Sequence, residues 1–248
     1  MMEQTSLYDF GGRPIWLVGA TGTLGQAMSH LLSERGAVLA LSGRRTDELQ
    51  QLANSLPGPT WVEPVNLLNA EDVQRSAARI TDALGPIGSL VVSVSVSAFG
   101  EFLELPDDDF AKAMETKYLG ALRSMRAVLP GMVAQRYGRI VTLSGGSGTQ
   151  PRPVHMPGGA ANAALELLSR GVAMRYAHDG IRVNVVAPGP IRSPRMDAIV
   201  AADAATGGGD GDRPVGLPSD IAEAVCYLLD SRSRFVNGTV LKVDGGVR

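Results

Sequence analysis

The strongest constraint on this chain is a rhythm. Seven short β-branched or apolar runs, at 15–18, 38–41, 61–65, 90–94, 139–143, 182–186 and 240–243, alternate with amphipathic stretches at 23–35, 47–55, 70–84, 107–134, 159–178 and 219–229. Runs of four to six residues read as strands, and longer stretches with apolar residues three and four apart read as helices. Strict strand–helix alternation predicts right-handed βαβ crossovers. The expected fold is therefore α/β, a Rossmann-type doubly wound parallel sheet with helices on both faces. In such sheets ligands bind at the carboxyl ends of the strands, so site residues are sought in the loops that follow them. No linker breaks the rhythm, and 1–248 is read as one domain. The segment AADAATGGGDGDRP at 201–214 departs from the pattern. Small, polar and glycine-rich, it makes 194–217 a candidate flexible substrate loop or lid, with a plain surface loop as the other reading.

Composition narrows the function classes. A net charge of -2 offers no broad basic surface, so no nucleic-acid partner is expected. Cys226 is the only cysteine, and His30, His155 and His178 lack metal-ligand spacing, so neither a disulfide framework nor a bound metal is expected. The first fourteen residues lack the basic flank and apolar run of a signal peptide, and no apolar stretch has membrane-spanning length. A cytoplasmic protein with no membrane partner is the expectation.

The sequence VGATGTLG, residues 18–25, follows the first strand and opens the first helix. Gly19, Gly22 and Gly25 allow a tight turn and close backbone approach, and with Thr21, Thr23 and Leu24 they would seat a pyrophosphate at the positive end of the helix. A simple strand-to-helix turn is the alternative, but its place after strand one of a βαβ series favours a dinucleotide. The second strand ends in SGRR, with Arg44 and Arg45 where an NAD-binding protein places a carboxylate for the ribose diol. A guanidinium there pairs with a 2′-phosphate, so the expected cofactor is NADP(H). A solvated basic pair at the next helix start is the other reading.

Nearly the whole chain resembles the short-chain dehydrogenase/reductase family. The glycine turn carries the likeness, with a GxxGxxG spacing nearer the extended and atypical members. GRIVTLS at 138–144 resembles the family's fifth strand. GIRVNVVAPGPIRS at 180–193 resembles its sixth strand and nicotinamide loop, and DIAEA at 220–224 and NGTVLKVDGG at 237–246 resemble its last helix and strand. The resemblance implies that Pro188, Gly189 and Ile191 border the nicotinamide, and that Ser193 contacts its carboxamide. It puts Asn66, beside Leu67, where an Asp commonly meets adenine, and Ser95 within VSVS in place of the family's NNAG. It also implies a small-molecule carbonyl or alcohol substrate and a homodimer or homotetramer built on the long fourth and fifth helices.

The same resemblance exposes a departure. The family's Tyr and Lys positions fall on Gly158 and Asn162, its Ser on Gly145, and its Asn on Lys117. Lys117 and Asn162 look like an exchange between two facing positions, which would restore a cation near the nicotinamide ribose and let Asn162 bond the ribose hydroxyls. Independent drift in an abandoned pocket is the alternative. For the missing general acid, Lys117 and His155 are the candidates, since a histidine titrates near neutrality. Tyr118 is expected to pack on its helix, and Ser144 and Ser147 to donate hydrogen bonds. The expected activity is an NADP(H)-linked oxidoreductase with a rearranged site. Non-redox chemistry on the same fold, namely elimination, isomerisation or cyclisation, and a non-catalytic NADPH-binding sensor or scaffold, remain alternatives.

Overall fold

The computed structural model describes residues 8–205 and 214–246. Seven parallel strands form one sheet in the order β3-β2-β1-β4-β5-β6-β7. They are β1 Ile15–Val18, β2 Leu39–Ser42, β3 Thr60–Val62, β4 Ser89–Val92, β5 Gly138–Leu143, β6 Ile181–Pro188 and β7 Val240–Val243. The order reverses between β1 and β4, whose registers pair Val18 with Ser42 on one side and with Val92 on the other. That reversal opens a crevice at the carboxyl ends of the strands.

The helices are α1 Thr23–Glu34, α2 Thr46–Ser55, α3 Ala70–Leu84, α4 Asp107–Ala113, α5 Gly120–Ala134, α6 Met156–Tyr176, α7 Pro194–Ala205 and α8 Pro218–Leu229. Strands buried on both faces need apolar residues at every position, and β1 shows this. Its Ile15 and Leu17 join one core cluster with Leu32 and Val225, while Trp16 and Val18 join the opposite cluster with Val73 and Met125. The α1–α8 side and the α3–α5–α6 side are therefore separate apolar layers.

Four local differences from the sequence reading have physical causes. The third strand ends at Val62 rather than at 65, because Pro64 cannot donate to the ladder. The fifth helical stretch begins at Met156 rather than at 159, since Pro157 is tolerated in a first turn. The stretch 107–134 is not one α-helix: a π-helical turn, Met114–Leu119, separates α4 from α5 and carries Lys117. Inserted π turns gather at functional sites. Finally, α7 runs to Ala205 and takes in the first part of the segment expected to be irregular; its alanines favour helix. Residues 206–213 of that segment lie outside the described residues.

Candidate active site

The loop after β1 is built for a backbone-to-ligand contact. Gly19 has φ +84°, and a Cβ there would overlap the Ser93 carbonyl oxygen; a Cβ at Gly25 would overlap the Gly19 carbonyl oxygen. Only glycine fits either position. Helices α2, α3, α4 and α8 each carry acidic residues in their first turn, whereas α1 has none and its Gly22 N-cap supplies no side-chain acceptor. The positive end of α1 is thus left for an anion, as a dinucleotide pyrophosphate requires. The residues present fit such a cofactor.

A cavity of about 610 Å³ opens beside this turn, at the carboxyl ends of the strands. Gly22, Thr23, Leu24 and Ser95 line one side of it, and Pro188, Gly189, Ile191 and Ser193 another, with Lys117, Gly145, His155 and Asn162 between them. The remaining expected contacts lie off its lining. Thr21 sits near Gly43. Arg44 is exposed beyond β2 and forms no ion pair among the described residues, while Arg45 pairs with Glu48 at 2.5 Å. Asn66 is exposed, and its Oδ1 accepts from the Leu68 amide at 3.1 Å. Leu67 turns its side chain into the core, against Gly120, and its carbonyl accepts from Arg123 at 2.8 Å. Gly158 faces the His155 ring: a Cβ at 158 would overlap it, so the histidine fills the space that a side chain there would need.

Lys117 is 5% exposed and hangs from the π turn into the cavity wall. Its Nζ donates to the Ser144 carbonyl at 3.1 Å and to Asn162 Oδ1. The sequence positions read as an exchanged pair therefore touch. Asn162 passes the network on, donating from Nδ2 to Ser147 Oγ at 3.0 Å. Burial pulls the Lys117 ammonium down to about 7, the nearby Arg195 charge adds to the fall, and Glu166 opposes it. Two of its three donors have protein acceptors.

His155 is 4% exposed and packs against Phe99 with ring centroids 4.8 Å apart. Its Nε2 lies 3.0 Å from an Arg195 terminal nitrogen and its Nδ1 lies 3.3 Å from the Ala98 carbonyl. A guanidinium can only donate, so Nε2 accepts and the proton sits on Nδ1. Burial, with Arg195, Lys117 and Arg152 nearby, pushes the ring down to about 4 against the support of the Ala98 carbonyl. At neutral pH it is an uncharged acceptor.

Two participants escaped the sequence reading. Glu166, 4% exposed, takes the Ser144 hydroxyl at 2.8 Å. It stands one turn after Asn162 as the one charged residue on the buried face of α6, and that misplaced charge was its signal. Arg195, in the first turn of α7, lines the cavity and donates to the Val96 carbonyl at 2.8 Å. Only its closeness to the 180–193 segment hinted at this. Among the described residues no group of three or more His, Cys, Asp or Glu side chains could hold a metal, and no helix is long and apolar enough to cross a membrane.

Comparison with known proteins agrees with this architecture. Residues 19–248 match the family model described as enoyl-(acyl carrier protein) reductase. Nodulation protein G of a Rhizobium species is 28% identical over 97% of this chain and 99% of its own. Carbonyl reductase family member 4 of Danio rerio is 30% identical over 93% and 95%. The crystal structure of NAD+-bound xylitol dehydrogenase superposes with a TM-score of 0.91 at 26% identity, covering 96% of this chain and 100% of that one. With sequence, strand order and cavity in accord, the chain belongs to the short-chain dehydrogenase/reductase family.

Proposed function

We propose that this protein is an NADP(H)-linked oxidoreductase acting on a small carbonyl or alcohol, with Lys117 as the group that exchanges the proton on the substrate oxygen. The observation that carries the reading is the Lys117 ammonium, buried in the cavity wall with one N–H left for a substrate and held near neutrality by desolvation. A proton donor works best when it titrates near the working pH, and here one cation does what a tyrosine with a lysine neighbour does elsewhere in the family.

The turn at Gly19, Gly22 and Gly25 and the uncapped start of α1 would hold the pyrophosphate, and Pro188, Gly189, Ile191 and Ser193 would border the nicotinamide. The bound coenzyme supplies hydride to the carbonyl carbon, or accepts it in the reverse direction. In reduction Lys117 gives a proton to the carbonyl oxygen, leaving a neutral amine that solvent reprotonates. Asn162 and the Ser144 carbonyl fix the direction of that amine, and Ser147 orients Asn162. His155 is a positioning residue, because its uncharged ring has no proton to give at Nε2.

Arg44, exposed and without an ion pair among the described residues, supports a 2′-phosphate and hence NADPH over NADH. Leu167 and Met174, seven residues apart on α6 and 67% and 79% exposed, support a homo-oligomer paired through that helix. The 194–217 segment, whose first half is α7, is read as the cover of the substrate end. The test is calorimetric titration with NADPH and NADH, followed by a carbonyl panel monitored for coenzyme oxidation. Binding of NADPH ahead of NADH with turnover is expected. Binding without turnover of any carbonyl would overturn the redox reading, and preference for NADH would overturn the Arg44 assignment.

A further inference from the structure

The cavity contains a cation that the proton chemistry does not use. Arg195 stands at its wall and is held by three uncharged partners: the Val96 carbonyl at 2.8 Å, His155 Nε2 at 3.0 Å and the face of Phe99, 5.1 Å from ring centroid to guanidinium carbon. Among the described residues no carboxylate pairs with it. Each of those partners aims the guanidinium without neutralising it, and burial already disfavours its charge. Hydrogen bonds to Val96 and His155 leave three of its five N–H groups. Lys117 shares the cavity and feels the Arg195 field, so these two cations repel each other. Lys117, Arg152, Arg195 and Lys242 line the cavity against one lining carboxylate, Asp244, while the buried Glu166 is engaged by Ser144 behind the wall, so positive charge is in excess there. Gly146 leaves room in the lining, since a Cβ there would meet only the Pro188 carbonyl oxygen, at 3.7 Å.

We infer that the cavity selects an anionic substrate, a carbonyl or alcohol compound bearing a carboxylate, with the carboxylate on Arg195 and the reacting oxygen at Lys117. A carboxylate accepts the planar guanidinium fork and supplies the missing counter-charge, and a ketone oxygen without one leaves the repulsion in place. The neutral His155 has its place in this arrangement: a protonated imidazole would have no lone pair to accept from Arg195 and would repel it. This inference rests on the oxidoreductase reading for its chemistry, though not for its anion site.

The experiment compares acetoacetate and levulinate with their methyl esters as NADPH-dependent substrates, and uses succinate, which has no ketone to reduce, as a thermal-shift probe on the coenzyme-loaded protein. The acids are expected to exceed the esters in kcat/KM by about tenfold or more, the scale of a charge-assisted pair. Arg195→Gln should erase that preference, with Arg195→Lys recovering part of it. Succinate should raise the unfolding temperature of the wild type and not of Arg195→Gln. Equal use of acid and ester by the wild type overturns the inference and spares the redox reading. Stabilisation by succinate without turnover of any acid or ester upholds the anion site and overturns the redox reading. Loss of NADPH affinity in Arg195→Gln, with the acid preference intact, assigns the guanidinium to the coenzyme and overturns the inference.

Discussion

The glycines on the two sides of the cavity stand there for different reasons. After β1, Gly19 and Gly25 are forced by backbone against backbone: a Cβ would strike a carbonyl oxygen that cannot move without breaking the turn. After β5 and at the start of α6, Gly145, Gly148 and Gly158 are surrounded by side chains from elsewhere. A Cβ at 148 would come within 2.5 Å of Glu166 Oε1, one at 145 within 3.0 Å of Asn162 Nδ2, and one at 158 would overlap the His155 ring. The first side is a fixed seat whose chemistry is amide and helix dipole. The second is a space given up by small residues and filled by a buried lysine, a histidine, an asparagine and a glutamate. One side uses local geometry, and the other uses residues brought from three separate elements.

The comparison breaks most visibly at Lys117. Replacing it with Met should lower turnover by about 10²- to 10⁴-fold, the usual worth of a positioned acid, while NADPH binding changes little. The wild-type reduction rate should fall as pH rises through about 7, because the amine then lacks the proton to give, and the variant should lose that limb of the profile. Stability follows the same group with its own sign. The folded lysine binds its proton less tightly than the unfolded chain does, so stability should rise with pH between about 7 and 10.5. Lys117→Met should lack that rise in thermal unfolding.

On the other side, Gly25→Ala should act on binding before chemistry. Forcing a Cβ against the Gly19 carbonyl displaces the amides at the start of α1, and calorimetry should register a loss of coenzyme affinity of about 100-fold, near 3 kcal/mol. Arg44→Ala sharpens the contrast further out, where contact is by side chain: NADPH affinity should fall about tenfold, one charge-assisted contact, and NADH affinity should not change. Gly158→Ala should act on stability rather than on binding. The added methyl meets the His155 ring and should cost about 1–3 kcal/mol in denaturant unfolding. In a His155→Ala background the methyl has room, so the cost should vanish. A strictly additive double mutant would show that His155 does not occupy the space beside 158.

The legibility of the chain follows the same division. Strand β1 and helix α3 were read to the residue, and the glycine turn was read in its place between β1 and α1, because period, length and glycine spacing are properties of neighbours in sequence. Lys117 and Asn162 were paired from family positions alone. Their contact needed the π turn, which rotates Lys117 inward, and no periodicity within 107–134 announces that turn. His155 was legible as a titratable group and not as a neutral one. Its charge state is set first by burial and then by Arg195, 40 positions away.

By itself, the sequence determined the α/β rhythm, the parallel sheet, the glycine turn after β1 and the presence of glycine at 145 and 158, since each depends on residue type at short range. Tertiary structure alone decided which side chains lie against those two glycines, and with what charge. Desolvation and the field of distant cations set protonation, and both depend on how far apart in space, rather than along the chain, charged groups come to rest.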